Sequence, residues 1–478
     1  MTGSTLIKGA DWVVAWDAAA GEHVYLTDAD VVFADDRISF VGRGYDGAAD
    51  VTVDGSGLMV MPGLVNIHAH PSMEPFYRGI REEHGVPTMY MTGLYERAQA
   101  FGLNPDDMAD AATVAYSELL LSGVTSLCDQ SFAYPGWLDA IGKSGLRGFV
   151  APGYSSAHWY MESLHELKYQ WDEDQGRKNM DAAIGLMNAA DQHESGRLSG
   201  VVFPAQIDNC TEEMLRDSIA LARETGRPVT SHVAQGVLEF HEIVRRHGVT
   251  PVQWANQIGF VGEDVSFGHA IFIDDSSWMN WASHRDLSIL VDTATTVAHC
   301  PSPFARYGQT LENFGKYKSA GVNLGMGTDV APHNLIEEMR LATILARVSA
   351  RDIRAANTAD VFHAATVGGA KALLRDDIGR LAPGAKADLI LVDLRNEFMQ
   401  PARDPLRCLV YTAADRAVRD VYVDGRQVVR DGKVLTMDHR LALDRLAEAQ
   451  ARMMRDTPNH DFAKRTTDEI SPLSLRQA

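Results

Sequence analysis

Residues 61–70 read MPGLVNIHAH, an apolar run that closes on two histidines, His68 and His70. Side chains alternate along a strand, so residues two apart face the same side, and the two imidazoles would open together at the strand's C-terminal end. Seven further runs follow the same plan: VTSLCDQ (124–130), GLRGFVAPG (145–153), SGVVFPAQ (199–206), RPVTSHVAQ (227–235), DVSFGHA (264–270), TTVAHCP (295–301) and VNLGMGTD (322–329). Helix-length amphipathic segments separate them. TEEMLRDSIALARETG at 211–226 is the clearest, with apolar residues at helical spacing and a glycine at its end. This alternation predicts an α/β fold with a parallel sheet, and eight strands fit a closed (β/α)8 TIM barrel over 61–379. Residues 160–197 read as a polar, helical insertion without a strand, placed after the third barrel strand.

Outside the barrel the pattern changes. Residues 1–60 hold short runs of alternating apolar and polar side chains, such as STLIKGADWVVAW (4–16), and the same character returns in KADLILVDL (386–394) and VRDVYVDGRQVVRDGKV (418–434). The two flanks, 1–60 plus 380–436, are expected to form one small β-sandwich from both ends of the chain. Residues 437–478 add a helix, LALDRLAEAQARMMR (441–455), and a polar tail expected to be loosely ordered.

A chain of 478 residues suits a barrel with an appended module, and 45% hydrophobic with 23% charged residues is ordinary for a folded protein. The net charge of −20 repels phosphate backbones and anionic lipid, so neither nucleic acid nor a membrane surface is an expected partner; a small molecule is. Cys128, Cys210, Cys300 and Cys408 form no CxxC pair, which argues against a disulfide framework and a thiolate zinc site. The N-terminal residues lack a secretory pattern, and no stretch is apolar enough to span a bilayer, so a cytoplasmic location is expected.

The chemistry lies where strands meet loops, because a βα barrel gathers its reactive groups at the C-terminal ends of its strands. His232, His269 and His299 each fall at or near the end of a predicted strand, and Asp329 follows in GMGTD. Any one of them taken alone is as well explained by a histidine bonded to backbone or a turn-forming aspartate. Their common register with His68 and His70 points instead to a metal centre.

These motifs, MPGLVNIHAH, GVTSLCD (123–129), GHAIFID (268–274), AHCPSP (298–303) and GTDVAPHNLIEEMRLA (327–342), resemble the amidohydrolase superfamily over nearly the whole chain. The branch it resembles most contains cytosine deaminase, adenosylhomocysteine deaminase and the s-triazine hydrolases. The resemblance implies that His68, His70, His232 and Asp329 hold one divalent metal, with zinc the first choice and iron, cobalt or manganese also suited to such ligands. It implies that His269 hydrogen-bonds the activated water or the developing oxyanion, that Asp329 takes the water's proton, and that the protein forms a homo-oligomer. The superfamily's two-metal form needs a lysine on the fourth strand, and no lysine occurs between Lys178 and Lys316.

Two departures bear on substrate. Deaminases of this branch carry glutamate three residues after the third histidine, whereas this chain has Gln235, and an amide cannot exchange a proton near neutral pH. Phe304 stands where asparagine is usual, and Met73, Phe76, Tyr77, Met89 and Tyr90 make the first loop apolar. Phe76, Tyr77, Met89, His299, Phe304 and His333 are the expected substrate contacts, with Gln235 orienting the substrate. The expected reaction is hydrolysis at the carbonyl of a urea, carbamate, thiocarbamate or amide by a cation-activated water, as in the phenylurea and thiocarbamate (molinate) hydrolases that the chain resembles in its apolar pocket. Deamination or dechlorination of a heteroaromatic ring, such as a pyrimidine, pterin or s-triazine, is the alternative. A barrel that has lost catalysis and serves only to bind stands as the alternative of another class.

Overall fold

A computed structural model describes residues 3–80, 92–312 and 314–477. Its centre is a parallel sheet of strands β1 (Leu64–Ala69), β2 (Val124–Ser131), β3 (Arg147–Tyr154), β4 (Leu198–Gly200, continued by Phe203–Pro204), β5 (Val229–Val233), β6 (Val265–His269), β7 (Thr296–His299) and β8 (Leu324–Met326). Hydrogen bonding runs β4-β3-β2-β1-β8-β7-β6-β5. Backbone pairs Val202–Val229 and Gln206–His232 then join β4 to β5, so the sheet closes on itself. Strands wrapped by helices are buried on both faces, which is why they read as continuous apolar runs.

The segment after β3 differs from expectation. Ala157–Ser163 and Glu166–Trp171 pair as an antiparallel hairpin, and only then does the helix Glu173–Asp191 begin. That helix packs on β3 and β4, so it is the ordinary barrel helix and the hairpin alone is inserted. Period-2 spacing of Trp159 with Met161, and of Leu167, Tyr169 and Trp171, is the strand signal that the polar residues between them obscured.

The flanks form one continuous nine-stranded sheet rather than two separately bonded sheets, with strands from both ends interleaved. Leu58–Pro62 pairs in parallel with Thr5–Asp17 and antiparallel with Leu389–Asp393. Both of its faces are covered: Leu58 and Val60 enter the flanking sheet's own core, whereas Met59 and Met61 join the core shared with the barrel. The helix His439–His460 and the turn Thr467–Ile470 pack against the first loop, with Leu446, Met453 and Ile470 buried beside Phe76 and Phe101. The tail is therefore ordered through Ile470, corrected from the loose end expected. Among the described residues no helix is long and apolar enough to cross a membrane.

Barrel and flanking sheet are pinned by buried charge. Arg147 on β3 makes paired bonds to Asp388, at 2.9 and 3.0 Å, and a third to Asp424 at 2.7 Å. Removing one partner leaves a charge uncompensated in a dry interface. Asp388→Ala should cost about 3–5 kcal/mol, read as a lowered unfolding midpoint in denaturant; a change under about 1 kcal/mol, the range of surface pairs, would show that the interface holds without this cluster.

Candidate metal centre and substrate pocket

The site is built from strand ends. His68 and His70 come from the end of β1, His232 from β5, His269 from β6 and Asp329 from the turn after β8. Asp329 is fixed through its own backbone: its N–H donates to the His68 carbonyl at 2.9 Å, and His70 N–H donates to the Asp329 carbonyl at 3.3 Å. The two ends of the sheet thus interlock at the mouth. Ala234, His269, Ala270 and Asp329 all adopt positive φ, from 44° to 91°. Non-glycine residues hold such conformations at a cost of order 1–3 kcal/mol each, and only where surrounding structure enforces them.

The side chains converge. Asp329 Oδ1 lies 3.7 Å from His68 Nε2 and 3.4 Å from His70 Nε2, and Oδ2 lies 3.6 Å from His269 Nε2. His70 Nε2 and His232 Nε2 are 3.3 Å apart. Each of these two rings uses Nδ1 on a backbone carbonyl, Gln130 for His70 and Ala205 for His232, both at 2.7 Å. With Nδ1–H donating outward, Nε2 presents its lone pair to the centre. His68 is completely buried, and neither of its ring nitrogens has a hydrogen-bond partner among the described residues. An unpaired buried imidazole is costly; a cation shared with His70, His232 and Asp329 would satisfy it. Three imidazole nitrogens and one carboxylate oxygen suit a divalent ion that can take a water as a fifth ligand, so these residues fit the expected ion.

Burial also sets protonation. It lowers the His232 pKa to about 3 and carries His68 and His269 well below the usual histidine range, so all three are neutral, as ligation requires. Burial pushes Asp329 up to about 7, while Arg97 and Arg306 pull it back.

Above the centre is a cavity of about 460 Å³. Gln235, Phe304, Tyr77 and Met73 line it, as the sequence suggests. Phe304 packs on His269, ring centroids 4.5 Å apart, and Gln235 Nε2 donates to Gln206 Oε1 at 2.5 Å. Three expected contacts are corrected. Phe76 is absent from the lining and buries itself against the C-terminal helix. His299 lies under the floor beside Phe314, ring centroids 5.8 Å apart. His333 is buried outside the lining, with Nδ1 3.0 Å from Thr328 Oγ1. Apolar packing takes Phe76 and His299 away from the cavity, and a side-chain hydrogen bond takes His333. Met89 and Tyr90 lie outside the described residues.

Sequence reasoning missed Glu74, Arg97, Tyr95, Trp159 and Gln206, which also line the cavity. Glu74 was findable, standing one helical turn past His70. Trp159 was not, because it depends on the hairpin.

A closed (β/α)8 barrel with imidazoles and a carboxylate gathered at its C-terminal mouth defines a metal-dependent hydrolase. The amidohydrolase family model matches residues 59–428, and the chain belongs to that family, whose members hydrolyse C–N bonds. It is 30% identical over 410 residues to a 5-methylthioadenosine/S-adenosylhomocysteine deaminase from Thermococcus kodakarensis, spanning 85% of this chain and 91% of that protein. It is also 30% identical to a 5'-deoxyadenosine deaminase from Methanosarcina mazei, spanning 93% and 97%. A zinc-bound adenosine deaminase from Xanthomonas campestris superposes with a TM-score of 0.80 at 24% identity, over 94% of this chain and 98% of that one. A zinc complex of atrazine chlorohydrolase from Arthrobacter aurescens gives 0.78 at 22%, over 93% and 100%. These two speak for the fold. None of the relatives quoted is a phenylurea or thiocarbamate hydrolase, and their names match the ring-directed alternative better than the carbonyl reaction.

The space around His68 is made by glycine. A Cβ on Gly268 would meet the His68 ring at 2.8 Å, and one on Gly327 would meet its Cβ at 2.6 Å. Gly268→Ala should therefore tilt His68 and weaken zinc binding by about 10–100-fold, the usual effect of losing a ligand's support, in a competition titration with a chromogenic chelator. Unchanged affinity would mean that His68 does not ligate.

Proposed function

We propose that this protein is an aminohydrolase that removes an amino group from a small heteroaromatic ring, using one divalent metal held by His68, His70, His232 and Asp329. The observation that carries the reading is full-length likeness to relatives named as deaminases of adenine nucleosides. The cavity agrees with it, since Phe203, Phe304, Tyr95 and Trp159 offer flat apolar walls to a ring.

When bound, the cation lowers the pKa of its water toward neutrality and makes a nucleophile available. Asp329 is the base that takes the water's proton, with its carboxylate oxygens 3.4 Å from His70 Nε2 and 3.6 Å from His269 Nε2 at the centre. His269, with Nε2 3.6 Å from Asp329 Oδ2, hydrogen-bonds the reacting atoms and steadies the charge that develops. The amino group leaves as ammonia only once it is protonated, and Asp329 is the residue at the centre able to supply that proton. Gln235, bound to Gln206, orients the ring through its amide.

One observation favours a second reading. Gln235 has no proton to exchange, and attack on the carbonyl of a urea, carbamate or amide asks less of a second acid. A panel of aminopurines, aminotriazines, phenylureas and carbamates separates the two: ammonia release from the rings alone supports deamination, and turnover of the carbonyl compounds alone rejects it.

Exhaustive chelation should abolish turnover, and added zinc should restore it; activity that persists without metal would remove the centre from the mechanism. Asp329→Asn should lose at least about 100-fold in kcat, the lower end for a general acid–base group, with the far-ultraviolet dichroism unchanged. Gln235→Glu should raise kcat on aminated rings at constant metal content, because it restores a proton-exchanging group beside the ring.

A further inference from the structure

One corner of the cavity holds an ion pair that this chemistry does not use. Glu74 opens the turn that follows His70, and its N–H donates to the His70 carbonyl at 3.1 Å. Arg97 reaches it from the helix Thr92–Ala100, with Nη2 3.1 Å from Oε1. Both side chains are under 10% exposed, and both line the cavity. Tyr77 backs the guanidinium, its ring centroid 4.4 Å from Cζ. Arg97 is the only protein partner of the Glu74 carboxylate among the described residues, which leaves Oε2 to the cavity.

Burying two charges is expensive, and apolar residues of similar size usually hold a fold as well or better. This pair is also badly placed for a purely structural role, since it faces the space where substrate goes. Several amides of the lining are bonded within the protein: Gln235 and Gln206 to each other, Gln99 to the backbone of Met161 and Gln130 to Thr230. Glu74 and Arg97 therefore supply a carboxylate acceptor and a guanidinium donor side by side, preorganised by their mutual bond and by Tyr77. Such a surface matches a ring edge on which an N–H stands next to an unprotonated nitrogen, and hydrogen bonds to charged groups are the strong ones.

We propose that Glu74 and Arg97 are the specificity-determining pair, reading an adjacent N–H donor and ring-nitrogen acceptor on the edge of the heterocycle away from the reacting carbon. The inference rests on the deaminase reading for the substrate class, but it concerns recognition, so binding tests it apart from turnover.

The test uses the zinc-loaded full chain and two matched ligands, a diaminotriazine whose second amino group carries N–H and the same compound with that nitrogen fully methylated. Equilibrium binding by calorimetry and ammonia release are both measured. Wild-type protein should prefer the N–H ligand by about tenfold or more, the scale of a hydrogen bond to a charged group. The double variant Glu74→Met/Arg97→Met leaves no charge unpaired and should lose that preference while keeping its zinc and its affinity for the methylated ligand. Glu74→Gln should raise KM for the N–H ligand and leave kcat within about twofold, the pattern of lost uniform binding. A wild-type protein without the preference, or a double variant that keeps it or weakens both ligands equally, overturns the proposal. Preference in binding without any ammonia release would instead strike at the deaminase reading and leave the pair's role standing.

Discussion

The lock between the two ends of the barrel sheet is the constraint on which the rest depends. Asp329 can face three imidazoles because its backbone is bonded to the carbonyl of His68 and to the N–H of His70. That double bond holds a residue in left-handed backbone, φ 58°, which an aspartate would otherwise leave. Glycines 268 and 327 complete the arrangement, the first leaving room for the His68 ring and the second for the His68 Cβ and the Cys300 thiol. The geometry of the candidate centre is thus written into main-chain pairing and absent side chains as much as into the imidazoles and the carboxylate themselves.

The sequence made the barrel legible because βα units repeat a simple physical signal, an apolar run buried on both faces followed by an amphipathic helix. The residues of the centre were legible for the same reason, since His68, His70, His232, His269 and Asp329 each sit where such a run stops. What failed were arguments from residue type without a third dimension. His299 shares the strand-end position of its neighbours and His333 stands in the turn before the next helix, yet one faces Phe314 and the other Thr328. Phe76 is apolar and close to His70, but a helix from the far end of the chain claims it. The hairpin at 157–171 was hidden because polar residues at its turn and edges imitate a solvated helix.

Charge inside the pocket is distributed unevenly. Phe203, Phe304 and the Gln206–Gln235 amide pair give it uncharged walls, while Glu74 with Arg97 sets a buried ion pair in the same lining. Under the proposed reaction, a flat ring would turn its polar edge to the ions and its apolar face to the aromatics, which orients it without any need for a tight steric fit.

The first loop owes its shape to residues far along the chain. Gln450 donates to the carbonyls of Phe76 and Arg78, both at 2.7 Å and 374 and 372 positions away. Arg465 adds an ion pair to Glu96 at 2.7 Å. The wall that carries Glu74, Tyr77 and Arg97 therefore leans on the helix His439–His460, the part of the chain translated after the whole barrel, so the pocket's side is completed by residues that the barrel itself does not contain.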